Sequence, residues 1–140
     1  MERCCTICLL SVLVAACGSG EASDSGQLTG FFVSSSEPSQ GATDVVATAS
    51  PEFFLSSVAD TETCSENQFL LAATDESGEY AFDVDFAVAF SEDGMSVQLQ
   101  HQNPFLRGFW YVAMVRETES PCLDTSGDPI VPFGVEFYVP

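Results

Sequence analysis

Tyr80-Ala81-Phe82-Asp83-Val84-Asp85-Phe86-Ala87-Val88-Ala89-Phe90 puts six large apolar side chains on alternate positions, with alanines and aspartates between them. A period of two belongs to a strand with one buried face, whereas an α-helix would scatter these rings around its circumference. Ser91-Glu92-Asp93-Gly94 follows, and Asp-Gly marks a tight turn. Met95, Val97 and Leu99 then alternate with Ser96, Gln98 and Gln100. The spacing predicts a hairpin, with one strand over 80–90 and its return over 95–100.

The same signal recurs on both sides. Phe133, Val135, Phe137 and Val139 alternate around Gly134, Glu136 and Tyr138, predicting a C-terminal strand. Phe109 to Arg116 is apolar on both faces and reads as a central strand. Shorter strands are expected at Phe31–Ser34, Glu52–Ser56 and Gln68–Ala73. Roughly seven strands, separated by Gly, Pro and Asp clusters, predict an all-β domain over 28–140, built as an Ig-like sandwich of two sheets.

Upstream of that domain the sequence changes character. Met1-Glu2-Arg3 is followed by an apolar run, Thr6 to Ala16, that ends Val14-Ala15-Ala16-Cys17. The run is shorter than the ~20 residues a membrane-spanning helix needs. It fits the hydrophobic region of an export signal. Val14-Ala15-Ala16-Cys17 resembles a bacterial lipobox. The resemblance implies a lipoprotein signal peptide over 1–16, cleavage before Cys17, a diacylglyceryl group on its sulfur and an acyl chain such as palmitate on its amine. Gly18 to Gln27 has no apolar side chain larger than alanine, so 17–27 is expected to be the lipidated cysteine and a flexible linker. The implied address is the bacterial cell envelope, with membrane attachment through the lipid. Glycine rather than aspartate after the cysteine favours the outer membrane, on its periplasmic or its surface face.

Cysteine arithmetic agrees. Of six cysteines, Cys4, Cys5 and Cys8 leave with the signal and Cys17 takes lipid, so Cys64 and Cys122 remain. An even pair in an exported chain predicts one disulfide. A metal site needs about four ligands, and here only His101 could join two cysteines that lie 58 positions apart without a C-x-x-C clip. Cys64 lies in an acidic stretch and Cys122 follows Pro121, so the bridge is expected to staple two loops outside the core.

Charge excludes whole classes of function. The chain carries 21 acidic and 3 basic side chains for a net charge of −18, and it has no lysine. Nucleic acid requires cations to displace its counterions, and Schiff-base or P-loop chemistry requires a lysine. His101 is the one imidazole, and it falls in the turn His101-Gln102-Asn103-Pro104 with no Gly-x-Ser-x-Gly elbow anywhere. It reads as a solvated turn residue rather than a catalytic base. Asp83 and Asp85 project from one face of a strand about 6–7 Å apart, but their neighbours Glu79, Ala81, Ala87 and Ala89 describe a solvated surface rather than a glycosidase groove. No enzyme activity and no cofactor are expected. Three acidic turns hold Asp75, Glu76, Asp93, Asp124 and Asp128. None has the order of an EF-hand loop, and a calcium-dependent binding module is the alternative reading if these residues converge.

Five phrases then resemble the bacterial SbsA-type Ig-like family of S-layer proteins. They are Ser36-Glu37-Pro38-Ser39-Gln40-Gly41-Ala42-Thr43-Asp44-Val45, Pro51 to Ser56, Ser91 to Leu99, Pro104 to Val115 with Phe105 as one extra residue, and Asp124 to Gly127 leading into Phe133–Val139. The resemblance spans residues 33–139 and implies an Ig-like sandwich serving as a structural or adhesive module, with an envelope or surface protein or polysaccharide as partner. Pro38 and Gly41 bracket a turn where the chain reverses or changes sheet. Tyr111 is read as core packing, with a hydroxyl that could bond backbone as in a tyrosine corner. Trp110, facing the other way, is expected to be partly exposed. Phe32, Phe105 and Trp110 are the candidate aromatic anchors for a partner.

Overall fold

The computed structural model describes residues 30–140, so the signal peptide, Cys17 and linker expectations lie outside the described residues. Eight strands form: β1 (Val33–Glu37), β2 (Glu52–Leu55), β3 (Phe69–Thr74), β4 (Tyr80–Asp83), β5 (Ala87–Phe90), β6 (Ser96–Gln100), β7 (Phe109–Val115) and β8 (Phe133–Val139). One antiparallel sheet runs β1-β2-β6-β5 and the other β4-β3-β7-β8. The architecture is the expected all-β, Ig-like sandwich. Among the described residues the helical elements are two single 3₁₀ turns, Thr61–Thr63 and Glu66–Gln68.

The strand expected over 80–90 is two strands in different sheets, which raises the count from about seven to eight. β4 pairs with β3, whereas β5 pairs with β6, and Val84 to Phe86 cross between them. Alternation specifies which face is buried, and both sheets bury the face that looks at the other. The apolar period therefore continues unbroken while the hydrogen-bonding partner changes. Where β4 begins, the register shifts between Ala73 and Thr74, so that Thr74 meets Tyr80. That irregularity leaves Tyr80 65% exposed, against its place in the expected buried set.

The β5–β6 hairpin stands as read, with Phe90 opposite Val97 and Ala87 opposite Gln100. Gly94 closes its turn at φ +71°, and its N–H donates to the Ser91 carbonyl at 3.0 Å. A Cβ at Gly94 would sit 3.0 Å from Val58 Cγ1 and 3.4 Å from the Ala59 carbonyl. Backbone conformation and close approach both demand glycine there.

Tyr111, Ala113 and Val115 of β7 face the core, while Trp110, Val112 and Met114 form a half-buried outer face. Phe53 joins the two sheets, 6.5 Å from Phe69 and edge-on to Phe133 at 5.6 Å. Full burial of such a side chain stabilises by roughly 1.5–3 kcal/mol. After β1, the Pro38–Gly41 turn carries the chain from the first sheet to the flank of the second. Gly41 N–H donates to the Glu136 carbonyl and Tyr138 N–H to the Ala42 carbonyl, both at 2.7 Å. The segment 41–45 thereby covers the outer edge of β8, satisfying backbone groups that an edge strand otherwise exposes.

Candidate functional site

The loops at the N-terminal end of the sandwich are committed to holding one another. Cys64 and Cys122 are joined in a disulfide with Cα atoms 4.4 Å apart. The bridge links two loops as expected, but it is not confined to the periphery: Cys122 belongs to the buried core and Cys64 is half-buried. Beside it the buried Gln68 amide donates to the carbonyls of Thr63 and Ser120, and its oxygen accepts from Ser65 N–H at 2.8 Å. Leu123 N–H donates to the Thr63 hydroxyl at 2.8 Å, tying the same two loops.

Asp124 is 4% exposed. Its Oδ1 accepts from the N–H groups of Asp128 and Ser126 at 2.8 and 2.9 Å, and its Oδ2 accepts from the Ser57 hydroxyl at 2.8 Å. The Asp128 N–H above all, with the Ser57 hydroxyl and the Ser126 N–H, holds this carboxyl below the usual carboxylate range despite its burial. Asp75 and Asp93 are likewise lowered, chiefly by the hydroxyls of Ser77 and Ser91 in their own turns. These three aspartates occupy three separate turns and each accepts from its own turn. Among the described residues, no group of three or more His, Cys, Asp or Glu side chains comes together to hold a metal ion. The convergence of Asp75, Glu76, Asp93, Asp124 and Asp128 that a calcium-dependent module requires is not formed.

At the opposite end, His101 is not the solvated turn residue its surroundings in sequence suggested. Its ring stacks on Phe105 with centroids 4.0 Å apart, Nδ1 lies 2.7 Å from the Asn103 carbonyl, and Nε2 lies 2.6 Å from the Ala49 carbonyl. Both ring nitrogens therefore face backbone acceptors, and neither faces a serine hydroxyl that it could deprotonate. Phe105 is corrected as well: it is 4% exposed, packed against Tyr111 at 4.4 Å and Phe137 at 5.7 Å, and cannot serve as a surface anchor. The extra residue of the family phrase is a plug in the core. Tyr111 does more than pack: its hydroxyl donates to the Leu106 carbonyl at 2.8 Å, and burial pushes its phenol above the ordinary value.

Two further surface features stand out among the described residues. A groove of about 510 Å³ opens where β4 passes into β5, with Asp83 and Asp85, Phe82 and Phe86, Gln102 and Leu106 among its walls. Asp83 ends β4 while Asp85 lies in the crossover, so they are not on one strand as expected. The second feature is an aromatic row across the outer face of the second sheet, set by the pairs Tyr80–Thr74, Thr74–Trp110 and Trp110–Tyr138. Trp110 and Tyr138 are half-buried, with ring centroids 5.5 Å apart. Trp110 is partly exposed, as its position in sequence implies, and the neighbour beside it, Tyr138, is not among the anchors read from the sequence. Tyr138 had a signal, as the out-of-phase aromatic of the last strand.

No family model matches the chain, and no curated protein sequence matches it either. Solved structures do resemble it in fold. The S-layer protein rSbsC(31-844) aligns over 79% of this chain at 16% identity with a TM-score of 0.54. The chain spans only 14% of that protein's length. PcoC, a methionine-rich copper resistance protein from Escherichia coli, aligns over 80% of this chain and 100% of its own at 14% identity, TM-score 0.56. CopC from Methylosinus trichosporium OB3b aligns over 78% of this chain and 92% of its own at 14% identity, TM-score 0.52. At these identities the likeness establishes the β-sandwich.

Proposed function

We propose that the chain is a non-catalytic Ig-like module of the SbsA type, held on the bacterial envelope by lipid on Cys17, where it acts as a structural or adhesive element toward an envelope or surface partner. The observation that carries this reading is the commitment of His101. The chain's one imidazole has both nitrogens on backbone carbonyls and its face on Phe105, which leaves no imidazole base beside a nucleophile. The S-layer and copper-resistance neighbours support a structural or binding role. The lipobox-like Val14-Ala15-Ala16-Cys17 supports the anchor, since two or three acyl chains hold where one does not.

Intact-mass analysis of the membrane fraction tests the address. The expected species begins at Cys17 and carries lipid. An unmodified Cys17, or release without detergent, would remove the anchor from this reading.

A further inference from the structure

We propose that the groove at the β4–β5 crossover binds an arginine- or lysine-bearing extended segment of a partner protein. The proposal deepens the interaction-module reading and rests on it.

The groove has the size of a ligand site, at about 510 Å³, and its lining is chemically two-sided. Phe82, Phe86 and Leu106 supply apolar wall, and Asp83 and Asp85 are exposed carboxylates at the same opening. No basic side chain lines it. The two described arginines are Arg107 and Arg116, and neither belongs to the groove. An anionic ligand would meet two carboxylates on a chain of net charge −18. A neutral apolar ligand would strip water from those carboxylates and return no bond. A cation on an alkyl stem satisfies both parts, with the stem against phenylalanine and leucine and the head near the carboxylates.

Position selects a peptide among such cations. The groove lies between β4 and β5, which are the terminal strands of their sheets on this flank. An extended chain alongside can add backbone hydrogen bonds at a strand edge while its side chains enter the groove. Charge favours an outside partner. The chain's own segment 17–29 carries Glu21 and Asp24 and no basic residue, so it lacks the complementary charge.

Fluorescence anisotropy tests the assignment, using the purified full-length chain and a short labelled peptide alternating arginine with valine at physiological salt. Replacing both rim carboxylates (Asp83→Asn with Asp85→Asn) should weaken binding by about tenfold, the size of two partly screened ion pairs. The charge-matched pair Glu62→Gln with Glu66→Gln, at the far end, should leave it unchanged. Leu106→Ser, at a side chain 58% exposed, should weaken binding while the melting temperature holds. Equal weakening by both charge-removing pairs would reduce the effect to overall attraction and overturn the site. So would an unchanged affinity in the rim variant, or an amino-sugar oligomer that binds the groove more tightly than the peptide. Such a failure with Cys17 lipidated would remove the groove and leave the proposed function standing. An unlipidated chain would strike the anchor and leave the peptide measurement intact.

Discussion

Ser57 donates its hydroxyl to the Asp124 carboxylate at 2.8 Å across 67 positions of sequence. One short bond thus connects the end of the second strand to the acidic turn before the last, and it is made to a nearly buried charge. Removing either partner leaves the other in a place water reaches poorly.

Asp124→Asn should lower the melting temperature, and the loss should depend on pH with a definite sign. The native carboxyl titrates below its ordinary 3.8. Its contribution is therefore complete above that value and disappears as pH falls through the lower, native one. Urea unfolding of wild type and variant at a series of pH values checks this. The gap between them should stay constant from neutral pH down to the mildly acidic range and narrow below about pH 4. A gap that persisted unchanged at the lowest pH would assign the effect to shape rather than charge.

Reducing the Cys64–Cys122 bridge, or replacing both cysteines with alanine, should destabilise the domain by about 4 kcal/mol for a closed loop of this length, on the chain-entropy estimate. Denaturant midpoints with and without reductant measure the difference. Two free thiols in protein exported to an oxidising compartment would contradict the bridge.

Gly94→Ala should cost about 1–2 kcal/mol, because alanine strains a left-handed backbone. The new methyl would also press on Val58 Cγ1 at 3.0 Å. Gly78→Ala supplies the comparison, since its φ is +85° and nothing lies within 4 Å of the added carbon. It should cost less, and equal losses would mean that the Val58 contact yields freely.

His101→Ala should loosen the attachment of the 47–49 segment without unfolding the sandwich. The ring spans to the Ala49 carbonyl, and the Phe105 N–H donates to Ala47 nearby at 2.8 Å. Hydrogen exchange at the Phe105 amide should accelerate, while amides in β7 keep their protection. Unchanged exchange at Phe105 would show that His101 does not brace this corner.

Residues whose environment is set by near neighbours were legible in the sequence. The β5–β6 hairpin is written in its alternation and its Asp-Gly turn, and the disulfide follows once Cys17 and the signal cysteines are set aside. The division of 80–90 between two sheets was not legible, because a period of two names a face and not a partner. Phe105 and His101 stand among polar turn residues, and only packing from Tyr111, Phe137 and the Ala49 carbonyl draws them inward. Asp124 looks like any acidic turn residue, since the Ser57 that meets it is remote in the chain. The groove depends on where β4 leaves one sheet for the other, so its Asp83 and Asp85 were visible as residues but not as walls.

The covering of β8 by residues 41–45 limits how copies of this domain could associate. Growth of a sheet by strand pairing needs a vacant border on each side of every unit. The second sheet offers β4 at one border, but at the other β8 already bonds to its own chain. Like-with-like extension of that sheet therefore stops at the first neighbour, β4 against β4, because the opposite border is taken by the chain's own 41–45 segment.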